Sequence, residues 1–599
     1  MFCMRTAAVF IPLFLSTLIA TAEPHSTLLV DIDHRPAMSL DGPWHYIVDP
    51  YRGGWGSNNP DEPGPRGYAA NTHYVSGGPL QEYDFAKAPV LQVPGDWNSQ
   101  RESLFYYEGL LWYQRDFTYH PEPHTHTFIH IGAANYASHV FVNDVLVCNH
   151  EGGFTPFDCE ITDVVKDGAN FVVIAVDNTR HVGDVPTLKD DWWNYGGLTR
   201  DVSVVEVPEA FIDDAVLHLN DTGEIEGYVH VTGGSAGAKV SIGIPDLHVN
   251  ESAVADEDGR AKFRFHPSGL EVWSPEHPRL YKVDYAVGSD RLQDDVGFRT
   301  IAVRGEDILL NGKPIFLRGV NIQGEAPIRG GRAWSEDDAK TLLGWAKELH
   351  CNFVRLAHYP HDERMTRLAD KMGILVWSEI PVYWSIDWTN PHTLEVAKQQ
   401  LHEMIRRDDD KASEILWSMS NETPPGPERT AFIKKLIVQA REEDPTRPIT
   451  SAIVSRFHDK TAVLDDPLAA DLDVLGYNEY IGWYTGKPED APEYKWENPL
   501  HKPVIMSEFG GGAKAGMHGG ATERFTEEYQ AAIYKGQIQM FQNMPFLRGL
   551  AAWVLMDFRA PTRLLPEIQD GYNRKGLVSN MGEKKQAFFV VQDYYAKKQ

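Results

Sequence analysis

The stretch ILWSMSNETPPGP, residues 415–427, begins as an apolar run and stops on an amide and an acid, Asn421 and Glu422, before a Thr-Pro-Pro-Gly turn. PVIMSEFGGG, residues 503–512, behaves alike: an apolar run ends on Glu508 and passes into glycines. Two carboxylates facing one another across a small cavity suit glycoside hydrolysis. One protonates the leaving oxygen; the other attacks the anomeric carbon or activates water. Repulsion between them raises the pKa of whichever stays protonated, so an ionised nucleophile keeps the proton on its partner. Asn421, beside Glu422, can hold a sugar hydroxyl next to the reacting carbon. The glycines after Glu508 are expected to let a ligand approach the backbone.

Elements must bring these acids together. After Ile301 apolar runs alternate with helical patterns: 315–322, 352–358, 374–380, 415–422, 449–453, 474–480, 503–509 and 550–558. One helix begins at a Ser335 cap and carries Ala339, Leu342, Leu343, Ala346 and Leu349 on one face. Another carries Met365, Leu368, Ala369 and Met372 and stops at Gly373. Eight such runs predict a C-terminal (β/α)8 TIM barrel, whose chemistry sits where strands end. Arg355 and His358 close the second run, Glu379 the third, Asn421 and Glu422 the fourth, Asn478 and Tyr480 the sixth, Glu508 the seventh and Asp557 the eighth. Strands four and seven end across the mouth from each other.

Two all-β regions precede the barrel. HTFIHIGAANYASHVFVNDVLV (126–147) alternates apolar and polar residues around an Asn143-Asp144 turn. GYVHVTGG, AKVSIGI, AKFRF and YKVDYAV are short strands between turns. The expected division is a signal peptide over 1–22, a jelly-roll-like β-sandwich over 23–205, an immunoglobulin-like β-sandwich over 206–302 and the barrel over 303–599. Arg5, the apolar run 8–19 and the Ala20-Thr21-Ala22 cleavage pattern predict export, periplasmic or secreted. No later segment is apolar enough to cross a bilayer as a helix, so no membrane association is expected. A net charge of -29 argues against nucleic acid. Cys148, Cys159 and Cys351 remain after the signal; Cys148 and Cys159 lie near enough to pair, but buried thiols are expected. Histidines 120, 124, 126 and 130 have no interleaved Cys and only Glu122 among them, so no metal site is expected there.

WSMSNE resembles the acid/base strand of glycoside hydrolase family 2, and PVIMSEFGG its nucleophile strand. YEGLLWYQRDF (107–117) and DDWWNYGGLTRDV (190–202) are similar to motifs of its sugar-binding-like sandwich, and VWSPEHPRLY (272–281) resembles a turn of its immunoglobulin-like domain. The resemblance spans nearly the whole mature chain and implies a retaining exo-acting β-glycosidase that needs no cofactor. Within the family the chain most resembles the β-glucuronidase branch. That resemblance places Tyr480 and Tyr484 of NEYIGWY, Asp191, His358, Asn421 and Trp553 around the sugar. It also assigns Asn573 and Lys575 of GYNRKGL to the sugar carboxylate, a role that a buried Lys beside an amide can perform.

One departure bears on substrate. The branch often carries an arginine four residues before that asparagine, and Gln569 stands there; Arg559 and Arg563 are candidate substitutes. A terminal β-glucuronic acid is the expected substrate, with a β-galactoside as the alternative. The stretch after strand three, WSIDWTNPHTLEVAK (384–398), passes quickly into helix, which suits acidic oligosaccharides better than small aryl conjugates. A non-catalytic carbohydrate-binding protein is a rival of another class, opposed by two intact glutamates. A metallohydrolase lacks its motif, since no His-Glu-x-x-His occurs. A large interaction scaffold leaves the strand-end acids unexplained. Homo-oligomerisation stays open.

Overall fold

The computed structural model describes residues 28–56, 67–78, 80–233 and 236–598; the signal-peptide reading lies outside them. The first sandwich packs a six-stranded sheet, led by Leu110–Tyr119 and Gly168–Asp177, on a four-stranded one containing Thr125–Ile131 and Val202–Pro208. The latter strand runs across position 205 to Pro208. Asn143 and Asp144 are both left-handed (φ 51° and 77°), the geometry of a two-residue hairpin between Ala137–Val142 and Val145–Glu151. Cys148 and Cys159 form a disulfide, with Cα atoms 5.6 Å apart, which corrects the expectation of free thiols; Cys351 is free and buried. The two cysteines lie in strands of opposite sheets, 145–151 and 157–160, so the bridge joins the sandwich layers where local separation alone did not decide the question. His120, His126 and His130 each meet a separate carboxylate, on Asp167, Glu160 and Asp158, and do not converge.

In the second sandwich a three-stranded sheet (Phe211–Leu219, Ile225–Thr232, Arg260–Phe265) faces a four-stranded one. Alternate residues of Tyr281–Val287 are buried, the signature of a strand with one wet face. Trp273 of the 272–281 turn is wholly buried, and its indole donates to the Asp370 carbonyl of the barrel.

The barrel closes through eight parallel strands: Leu317–Gln323, Phe353–Ala357, Leu375–Glu379, Glu414–Asn421, Ile449–Val454, Leu475–Asn478, Val504–Glu508 and Leu547–Ala552. Ser335 caps Glu336–Glu348 through a reciprocal box with Asp338, and Gly373 ends Glu363–Met372 with a left-handed φ of 66°. Strands five and six break the alternation. Short helices, opened by Pro467 and Pro488, and a small three-stranded sheet follow them, and Pro492 interrupts the second of these helices. Strand eight is shorter than expected and ends at Ala552, so Asp557 does not close it.

A buried charge cluster joins the parts. Arg367 of the barrel meets Asp31 (2.7 Å) and Asp294 of the second sandwich (2.6 Å). Lys411, 1% exposed, reaches Asp410, Asp294 and Asp31. Replacing one member of such a cluster strands the others in low dielectric. Lys411→Met is therefore expected to destabilise the protein by about 3–5 kcal/mol, read as a lower calorimetric transition temperature; an unchanged transition would contradict the role given to this cluster.

Candidate active site

Arg355, wholly buried at the end of strand two, organises the barrel mouth. Its guanidinium donates to both oxygens of Glu379 (2.9 and 2.8 Å), to Glu508 Oε1 (2.8 Å), to Asn421 Oδ1 (2.7 Å) and to Asn321 Oδ1 (3.1 Å). Strands one, two, three, four and seven thus meet on one cation. Burial alone would raise the Glu379 carboxyl, but Arg355 and the His358 hydrogen bond outweigh it and hold it at about 2. Glu379 serves as a fixed counter-charge rather than a proton donor. His358 Nδ1 lies 2.7 Å from Glu379, its Nε2 lies 3.9 Å from Glu508, and its ring stacks on Trp553 at 4.8 Å.

Donors meet both oxygens of Glu508, Arg355 on one and the Tyr480 hydroxyl on the other (2.6 Å). That is the setting of a nucleophilic carboxylate: charged, held, and aimed. Glu422 differs. Asn478 donates to its Oε1 (3.1 Å) and the Trp384 indole to its Oε2 (3.0 Å). Both partners are donors, so the proton of the neutral acid finds no protein acceptor and is available to a leaving oxygen. Burial first, and the Glu508 charge second, push the Glu422 carboxyl up to about 7. The separation of roles follows from environment. Asn421 spends its oxygen on Arg355 and Asn478, while its buried Nδ2 has no protein partner, a donor kept for a ligand hydroxyl.

The expected carboxylate-reading residues form a second group. Lys575, 4% exposed, donates to the Tyr484 hydroxyl (2.8 Å) and stands over the Tyr480 and Tyr484 rings. Among the described residues no carboxylate lies within ion-pair distance of it. Burial works to raise the Tyr484 phenol, but Lys575 and Arg563 bring it below its usual range. Asp191 enters from the first sandwich and is held by Arg563 (2.9 and 2.6 Å) and Asn573 Nδ2 (2.9 Å). The Asn573 amide is spent on Asp191 and the Lys575 backbone, so it sets the loop that presents the ammonium. Of the two candidate arginines, Arg563 joins this group; Arg559 lies over Phe105 and Tyr572 instead.

Two expectations need correction. Asp557 is not at the mouth: it is wholly buried, ion-paired to Lys585 (2.7 Å) and accepting from Gly576 N (2.9 Å), and it anchors the loop carrying Lys575. The glycines after Glu508 do not clear a path for ligand; a Cβ at Gly510 would strike Tyr534 and one at Gly511 would strike Ile533, so protein side chains occupy that space. Sequence reasoning did not select Trp384, Tyr383 or Trp192 as site residues. Trp192 and Tyr383 pack on His358 (5.7 and 4.8 Å). The doublet Trp192-Trp193 beside Asp191, and aromatics just past strand three, were the available signals.

Comparison with known proteins agrees with this geometry. Residues 301–597 match Glycosyl hydrolases family 2, TIM barrel domain, and residues 38–208 match Glycosyl hydrolases family 2, sugar binding domain. The chain belongs to glycoside hydrolase family 2. It is 30% identical to a β-glucuronidase of Canis lupus familiaris over 87% of this chain and 86% of the relative. It is 28% identical to one of Paenibacillus borealis over 92% and 96%. In fold it resembles the β-glucuronidase of Ruminococcus gnavus (TM-score 0.81, 23% identity, 96% and 100% covered). It also resembles a family 2 β-galacturonidase from Eisenbergiella tayi (TM-score 0.79, 24% identity, 96% and 98% covered). This family 2 hydrolase brings two carboxylates, Glu422 and Glu508, to the ends of strands four and seven.

Because Glu422 must be protonated to assist departure, kcat/KM for a poor leaving group is expected to fall as pH rises through about 7. A pH–rate profile flat across that range would remove Glu422 from the role of acid. Glu508→Gln is expected to abolish turnover with the fold intact; normal activity in that variant would remove the nucleophile assignment.

Proposed function

We propose that this hydrolase removes terminal β-D-glucuronic acid residues from glycosides or acidic oligosaccharides by two displacements. A Glu508 oxygen bonds to the anomeric carbon as the glycosidic C–O bond breaks, and the departing oxygen takes its electron pair and the proton of Glu422. Water then gives a proton to Glu422, bonds to the anomeric carbon and releases Glu508. Neutralising Glu508 in the intermediate removes the repulsion that raised Glu422, which favours its ionised form and leaves it able to accept the water proton in the second half. The relatives named β-glucuronidase support the substrate class.

The observation that carries the sugar's identity is Lys575: a buried ammonium that no described carboxylate balances, set against the Tyr480 and Tyr484 rings. Such a charge is costly without an anion and is met by the carboxylate of a uronic acid. Asp191 and Arg563 neutralise each other beside it and leave that demand unmet. The short passage from strand three into the helix Pro391–Asp408 is consistent with oligosaccharide substrates. Export is proposed from the leader pattern, and the Cys148–Cys159 bridge supports an oxidising compartment.

Comparing 4-nitrophenyl β-glucuronide with the matched β-galactoside tests the reading. Lys575→Ala is expected to lower kcat/KM on the glucuronide by roughly 30-fold or more, the size of a lost charge-assisted pair, with little change on neutral sugars. A wild-type preference for galactoside would overturn the uronide assignment.

A further inference from the structure

Trp384 has a backbone φ of 52°, in the left-handed region. A bulky side chain pays for that conformation, and such strain persists where the surroundings fix it, often at working sites. The surroundings here are explicit. Trp384 N donates to the Asn421 carbonyl (2.9 Å), and Asn421 N donates to the Val382 carbonyl (2.9 Å). The loop after strand three is thereby stitched to the end of strand four that carries Glu422, itself left-handed at φ 50°. The indole N–H then reaches Glu422 Oε2 at 3.0 Å.

The ring also ends an aromatic belt. Trp553 stacks on His358 (4.8 Å), His358 packs on Tyr383 (4.8 Å), and Tyr383 packs on Trp384 (4.6 Å). Trp553 and Tyr383 are 3% and 4% exposed, whereas Trp384 is half-buried and the next residue, Ser385, is exposed. The belt runs from the enclosed side of Glu508 to the open side of Glu422. A leaving oxygen must come within hydrogen-bond reach of Glu422 to take its proton, about 2.6–3.2 Å, so the group attached to it passes beside the indole.

We propose that Trp384 builds the leaving-group subsite: its ring face stacks on the first ring of the leaving group while its N–H positions Glu422. The ligand chemistry is a ring with an apolar face, either an aryl group or the next pyranose of an oligosaccharide. The inference rests on the glycosidase reading above.

The test uses three substrates of the preferred sugar: the 4-nitrophenyl glycoside, a disaccharide, and the β-glycosyl fluoride, which has no leaving ring and departs without a proton. Trp384→Ala is expected to lower kcat/KM on ring-bearing substrates by about tenfold, the worth of an aromatic stacking contact, and to leave the fluoride within roughly twofold. Trp384→Phe keeps a face and loses the donor. It is expected to retain KM on ring-bearing substrates and to move the basic limb of the pH profile upward, since the lost donor favoured the charged form of Glu422. A larger loss on the nitrophenyl arm identifies an aryl group as the preferred occupant, and a larger loss on the disaccharide identifies a sugar. Equal losses on all three substrates in Trp384→Ala, or no loss on either ring-bearing substrate, would overturn the subsite. An unmoved basic limb in Trp384→Phe would overturn the positioning role. Failure of wild-type enzyme on glucuronosyl fluoride would instead count against the uronide reading, and the same ratios measured on galactosyl substrates still decide the role of Trp384.

Discussion

The buried guanidinium of Arg355 is the constraint on which the site depends. It sits where five barrel strands converge, and it satisfies its donors with Glu379, Glu508, Asn321 and Asn421. A cation in that position needs carboxylate company, and two carboxylates need a cation between them. The fixed partner, Glu379, is held firmly ionised. The other, Glu508, is held by the same cation with its direction set. Glu422 is not bonded to this cation and feels mainly burial and the charge opposite, so it keeps its proton near neutrality. One arginine, by bonding Glu508 and not Glu422, gives the two acids different electrostatic settings.

A second electrostatic decision is made at Lys575. Around Lys575 the enzyme assembles hydroxyls and ring faces but withholds an acid, while Arg563 takes up Asp191. The loop bearing Lys575 is not a passive turn: Asp557 and Lys585, both wholly buried, pin it from beneath. Gln569 stands where the resemblance led to an arginine, and Arg563, from earlier in the chain, is bonded to Asp191.

Much of this was legible in the sequence, for identifiable reasons. Strand-end acids at 379, 422 and 508 stand out because a polar residue ending an apolar run has few structural excuses, and all three lie at the barrel mouth. The capped helices at Ser335 and Gly373 announced themselves through local chemistry. What failed were features set by distant partners. Asp557 looks like one more strand-end acid, yet Lys585 claims it from 28 residues away. The glycines after Glu508 signal close approach but not by what. Cys148 and Cys159 pair because two sheets stack, which spacing along the chain does not show. Trp384 was hidden because its importance comes from a backbone φ and a neighbour on another strand.

Asp191 belongs to the first sandwich, yet it is bonded to Arg563 and Asn573 of the barrel. The catalytic barrel is consequently not a portable module. Cut free, it would expose two adjacent cations with no counter-ion and a loop without its latch. The sugar-reading wall would loosen even though both glutamates remained in place. Recombination of such barrels with foreign sandwiches is therefore limited to donors that present an acid at this spot, a restriction on the evolution of the architecture that neither domain reveals alone.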